Sequence, residues 1–133
     1  METVFRLYQN IGDGQSENIL EAIMHNDCKY VIDYYQAGFD IQLVDEKGET
    51  LLHKAARNDY FEIVDLLIKL GVDLNIRNNY RETPLHLAVQ FKNSQVVDKL
   101  LFEGAAVNAQ NRKKVSPLHL AASRGKESIL HQL

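Results

Sequence analysis

The chain has 133 residues, 45% of them hydrophobic and 25% charged, with one cysteine and a formal net charge of −3. Such a composition fits one soluble globular domain, and a chain of this mass can bury roughly two-thirds of its unfolded surface. It excludes an intrachain disulfide, and no run approaches the ~18 apolar residues of a membrane span.

The N-terminal stretch "METVFRLYQNIGDG" lacks the apolar run of a secretory signal. Instead Val4, Leu7, Tyr8 and Ile11 stand at i, i+3, i+4 and i+7, the spacing of one helix face. Next comes "ENILEAIMHNDCKYVIDYYQAGFDIQ", which lies without a gap under "TLLHKAARNDYFEIVDLLIKLGVDLN", 33 residues further on. The phrase "TLLHKAA" at Thr50 then returns as "TPLHLAV" at Thr83 and as "SPLHLAA" at Ser116, again 33 residues apart. Ala22, Ala55, Ala88 and Ala121 share one column of this register, Val31, Val64, Val97 and Leu130 a second, Gly38, Gly71 and Gly104 a third, and Asn75 and Asn108 a fourth.

Each copy reads as a helix, a short turn, a longer helix and a loop. Thr83 is a suitable N-cap, because its hydroxyl can accept from an orphan N–H of the first turn. Pro84 occupies the first helical position, where its missing N–H costs nothing, and Ser116–Pro117 repeats the device. Leu85, Ala88 and Val89 share a helix face, which ends near Phe91. The second helix of that copy is expected from about Ser94 to Glu103 with Val96, Val97, Leu100 and Leu101 buried, followed by Gly104 at C′. The alanine column has a packing reason, since a larger side chain would push successive layers apart.

On "TPLHLAV", "EIVDLLIKLGVDLN" and the 33-residue period, the chain resembles the ankyrin repeat family over about residues 12–133. The resemblance implies an all-α solenoid of about four stacked helix pairs with hairpin-like loops and an extra N-terminal helix, each repeat touching only its neighbours. The expected units are a capping helix at 1–12, a degenerate repeat at 13–45, repeats at 46–78 and 79–111, and a shortened repeat at 112–133. Two departures stand out. The glycine that the family places between the helices is Asn26, Asp59 and Lys92 in the first three copies and Gly125 in the last. The hairpin glycine remains as Gly48 but becomes Arg81 and Lys114. Leu133 aligns with Leu100, short of a helix end, so the chain is expected to be the N-terminal part of a longer protein.

His53, His86 and His119 recur once per period, so layers about 10 Å thick should keep them too far apart to share a zinc ion. They are expected to hold their own first turn and the adjacent loop by hydrogen bonds. His25 and His131 have no partner at ligand spacing, and no nucleotide-binding, nucleophile-elbow or metalloprotease motif occurs. No enzymatic activity, cofactor or metal is therefore expected. A lone Cys28 makes a reducing compartment, cytoplasmic or nuclear, the default.

Charge is graded along the chain: −7 over residues 1–50, 0 over 51–111 and +4 over 112–133. The basic end includes Arg112, Lys113, Lys114, Arg124 and Lys126, but no aromatics interleave it, so an acidic protein surface is expected there rather than nucleic acid. No membrane contact is expected either. The resemblance places partner contacts on a concave face of hairpin tips and first helices. Carried over residue by residue, that face comprises Glu46, Lys47, Glu49, Arg57 and Asn58 in copy two, Asn79, Tyr80, Glu82, Gln90 and Phe91 in copy three, and Arg112, Lys113, Val115, Ser123 and Arg124 in copy four. Tyr80 is expected to be an anchor. Phe91 is either a second anchor or a lid over the gap at Lys92. The function expected is that of a protein-interaction scaffold (adaptor, inhibitor or substrate receptor). The alternative is the targeting arm of a larger enzyme or secreted effector.

Overall fold

Each signature phrase folds as a seven-residue helix whose start is fixed by the phrase itself. The computed structural model describes residues 28–123. In that span lie α1 (Cys28–Gln36), α2 (Leu51–Arg57), α3 (Phe61–Lys69), α4 (Pro84–Gln90), α5 (Ser94–Phe102) and α6 (Pro117–Ser123), with no strand among the described residues. The expected helix at 1–12, the first helix of copy one and the second helix of copy four lie outside the described residues.

Seven residues are too few for a stable isolated helix, so caps and packing must hold these elements. Thr50 Oγ1 accepts from the His53 N–H at 3.3 Å, while His53 Nδ1 accepts from the Thr50 N–H at 3.2 Å. Thr83 and His86 repeat this at 3.3 and 3.0 Å, and Ser116 and His119 at 3.2 and 3.2 Å. The arrangement is a capping box in which imidazole takes the usual place of Glu or Gln.

Packing forms two layers. The first helices stack α2 on α4 on α6, the second helices α1 on α3 on α5, and α2–α3 and α4–α5 close each repeat. Ala55, Ala88 and Ala121 are fully buried between first helices, as the column of small residues requires. Ile63, Val64 and Leu67 of α3 and Val96, Val97 and Leu100 of α5 fill the space between layers. Leu101 is only half-buried, at the margin of this core. α5 ends one residue earlier than expected, with Glu103 as C-cap. Asp59 and Lys92 in the interhelical turns have φ of 59° and 61°, the left-handed angles expected where the family has glycine.

The loops are built on one residue per copy. Asp45 Oδ1, at the junction just before copy two, accepts from the N–H groups of Lys47 and Glu49, and Asn78 and Asn111 at the next two junctions serve the copies that follow them identically, so each belongs with the loop it builds. The tips at Gly48, Arg81 and Lys114 take φ of 74°, 62° and 62°. Successive tips are tied by main-chain bonds, Asn79 N–H to Lys47 O at 2.8 Å and Arg112 N–H to Tyr80 O at 3.0 Å. Gly48 has an additional steric reason: a Cβ there would lie 2.6 Å from Asn79 Oδ1. The result is a row of tips alongside the row α2, α4, α6, and that double row forms the candidate face.

Candidate functional site

Two of the repeated histidines are structural in geometry, while His119 keeps the cap bonds to Ser116 but is exposed. His53 and His86 are fully buried. Each receives an N–H at Nδ1, so Nε2 carries the proton and donates to the next copy's loop: His53 to Glu82 O at 2.8 Å, His86 to Val115 O at 2.8 Å. Burial pushes both imidazoles below their ordinary pKa, because the cation would be desolvated. A second proton at Nδ1 would also face the N–H of Thr50 or Thr83. Neither ring is placed to meet a substrate.

On the face itself, copy two is closed by its own charges. Lys54 Nζ pairs with Asp45 Oδ2 at 2.9 Å and lies 3.8 Å from Glu49 Oε1, while Arg57 pairs with Glu49 Oε2. Burial raises the Asp45 carboxyl, but Lys54 and the N–H groups of Glu49 and Lys47 outweigh it and hold the group below the usual range. Glu49 corrects the expectation of an available surface carboxylate: it is 2% exposed and also accepts from Asn78 Nδ2 of the next copy at 3.2 Å. Arg57, half-buried, is engaged with it, and Asn58 turns back to Lys54 O at 2.8 Å. Glu46 and Lys47 are exposed at the tip, and the Glu46 carbonyl accepts from Asn79 Nδ2.

The charges thin out along the register. Asp45, Glu49, Lys54 and Arg57 become Asn78, Glu82, Leu87 and Gln90, then Asn111, Val115, Leu120 and Ser123. Between copies three and four the face therefore has an open, less self-paired groove of about 430 Å³. It gathers six of the expected residues, Tyr80, Glu82, Gln90, Arg112, Lys113 and Val115. Tyr80 is 57% exposed at its edge, and Arg112 and Lys113 have no ion-pair partner among the described residues. Asn111 and Leu120 also line the groove. The sequence reading missed both. The periodic register could have suggested Leu120, because Lys54 holds that position in copy two.

The remaining expected residues are not in this groove. Asn79 lines a neighbouring concavity instead. Phe91 is the C-cap of α4 and 48% exposed. Ser123 is exposed, with its hydroxyl donating to Leu120 O at 3.3 Å. Arg124 lies outside the described residues. No group of three or more metal-ligating side chains occurs among the described residues, and none of their helices is long and apolar enough to cross a membrane.

Comparison with known proteins agrees with this architecture. No curated protein matches the chain. The sequence model described as ankyrin repeats in three copies matches residues 19–111, which takes in copies two and three and most of copy one. Ankyrin repeats are generally protein–protein interaction modules. With more than half of its length in that match and with its paired helices, looped tips and histidine capping boxes, the chain belongs to the ankyrin repeat family.

Proposed function

We propose that the chain is a protein-recognition scaffold, without chemistry of its own, that holds a partner protein on the concave side in the groove between copies three and four. One observation carries the reading: the half-exposed Tyr80 lines a groove together with Arg112 and Lys113, cations without an ion-pair partner among the described residues. An amphipathic ring at the edge of a partly apolar groove is a favoured anchor. Adjacent unpaired cations steer an acidic partner surface by field. Copy two, where Asp45, Glu49, Lys54 and Arg57 already pair with one another, contributes framework instead. A cytoplasmic or nuclear setting suits the lone half-buried Cys28.

The test is affinity capture with the chain, followed by binding kinetics of the captured partner. Tyr80→Ala should weaken binding by about 2 kcal/mol, mostly through faster dissociation. Arg112→Glu with Lys113→Glu should slow association, with an effect that shrinks at high salt. If neither change matters while Glu62→Ala or Lys99→Ala abolishes binding, the partner docks on the second-helix side and the proposal fails.

A further inference from the structure

The tips of copies three and four border a second concavity of about 890 Å³, lined by loop residues alone. Among the described residues its charged side chains are Arg77, Arg81, Arg112 and Lys114, all exposed, and no carboxylate lines it. The other lining residues carry side-chain amides, apart from Ala109. Ion pairs among the described residues use Lys54, Arg57, Lys69 and Lys99, so all four cations of this cleft are left without a counter-charge there.

Two of these cations stand where the backbone favours another residue. Arg81 and Lys114 have φ of 62°, at the tip position that copy two gives to Gly48. Glycine would suit that angle better, so nothing in the local backbone calls for a long cationic side chain at either tip. Their common feature is the cleft they line. Several unpaired cations and amide donors, with almost no apolar wall, match a ligand bearing several negative charges. Nucleic acid is disfavoured because no aromatic ring among the described residues lines the cleft to stack a base.

We propose that this cleft takes an acidic stretch of a partner polypeptide, a run of adjacent Asp or Glu side chains that pair with Arg77, Arg81, Arg112 and Lys114. The proposal rests on the reading of the chain as a protein-binding module but concerns a separate surface. Arg112 and Asn111 line both concavities, so a partner in the groove can pass its acidic stretch across the tip of copy four.

The test is fluorescence anisotropy of labelled octaglutamate with the full chain, at low and at physiological ionic strength. Saturable binding that weakens with salt is expected, and a polyserine peptide of equal length should not bind. Arg81→Gly with Lys114→Gly should lower octaglutamate affinity about tenfold or more. Because glycine suits both tip angles, the variant should melt no lower than the parent, which removes misfolding as an explanation. Tyr80→Ala should leave octaglutamate affinity within about twofold while weakening the captured partner, which separates this site from the groove. The proposal is overturned by absence of saturable binding at low ionic strength, by unchanged affinity in the glycine variant, by tighter binding of a single-stranded oligothymidylate, or by displacement with equimolar inorganic phosphate.

Discussion

His86 shows how much a single side chain can join. Its Nδ1 closes the cap of α4 through Thr83, and its Nε2 reaches Val115 of the next copy. His86→Ala would leave a void in a fully buried site, orphan the Thr83 N–H and leave the Val115 carbonyl with the Asn111 N–H alone, at a cost of about 2–3 kcal/mol. The loss should appear in urea denaturation, with partner binding per folded molecule intact. The pH dependence follows from the same bonds. His53 and His86 titrate below their ordinary 6.5 in the folded chain, so on acidification the unfolded chain takes up protons first. Their contribution is complete above about pH 6.5 and is lost as pH falls from there through the folded values. Stability should therefore decline below about pH 6.5, and more shallowly in His86→Ala. A parent protein that gains stability over that range would show that the rings are cationic when folded.

At the scale of the element, the loops reveal a substitution that works only as a pair. Copy two combines Asp45 with Lys54 at 2.9 Å, whereas copies three and four combine Asn78 with Leu87 and Asn111 with Leu120. All three first members accept the same two N–H groups, so the loop survives either way. Lys54→Leu alone would leave Asp45 and part of Glu49 without their ammonium, and Asp45→Asn alone would strand Lys54 beside one carboxylate fewer. The double change recreates the solution of copies three and four. A double-mutant cycle should give each single change a loss of about 1 kcal/mol and the pair a coupling of similar size in its favour. Simple additivity would mean that the ion pair contributes nothing. Asn93 makes a comparable link between copies, its Nδ2 donating to Ala56 O at 2.6 Å and Arg57 O at 2.9 Å and so capping α2 from the next repeat.

Across the whole molecule, stability should follow the number of neighbours each repeat has, as in any linear stack. In α4 every residue from Pro84 to Val89 is buried, between α2 and α6 and against α5. In α6 only Pro117 and Ala121 are buried, and Leu118 is 38% exposed although its counterpart Leu85 is fully buried. Hydrogen exchange should therefore be slowest in α4 and markedly faster in α6, whose local opening exposes less apolar surface. Equal protection of the two helices would show that another surface covers α6. Charge is also a property of the whole: around copy two Asp45, Glu49, Lys54 and Arg57 pair with one another, while the tips of copies three and four present Arg81, Arg112 and Lys114 outward.

By itself, the sequence determined the register, because each copy solves the same local problem with the same residues. Thr or Ser before a helix start, alanine where layers meet, and a residue at 48, 81 and 114 that must turn left-handed are short-range demands, and short-range demands repeat with the period. Even Arg81, Lys92 and Lys114, which break the glycine pattern, adopt the angles that the register requires. The fate of the face was decided only in the tertiary structure. Glu49 and Glu82 hold the same place in the repeat, yet Glu49 is buried because Arg57, eight residues on, and Asn78, from the following loop, converge on it. Among the described residues Arg112 and Lys113 have no such partners, and tip 112, which lines both concavities, is bonded across to tip 80. Whether a charge faces solvent or another charge depends on residues distant in the chain, so the contacts that leave these cations unpaired had to be seen in three dimensions.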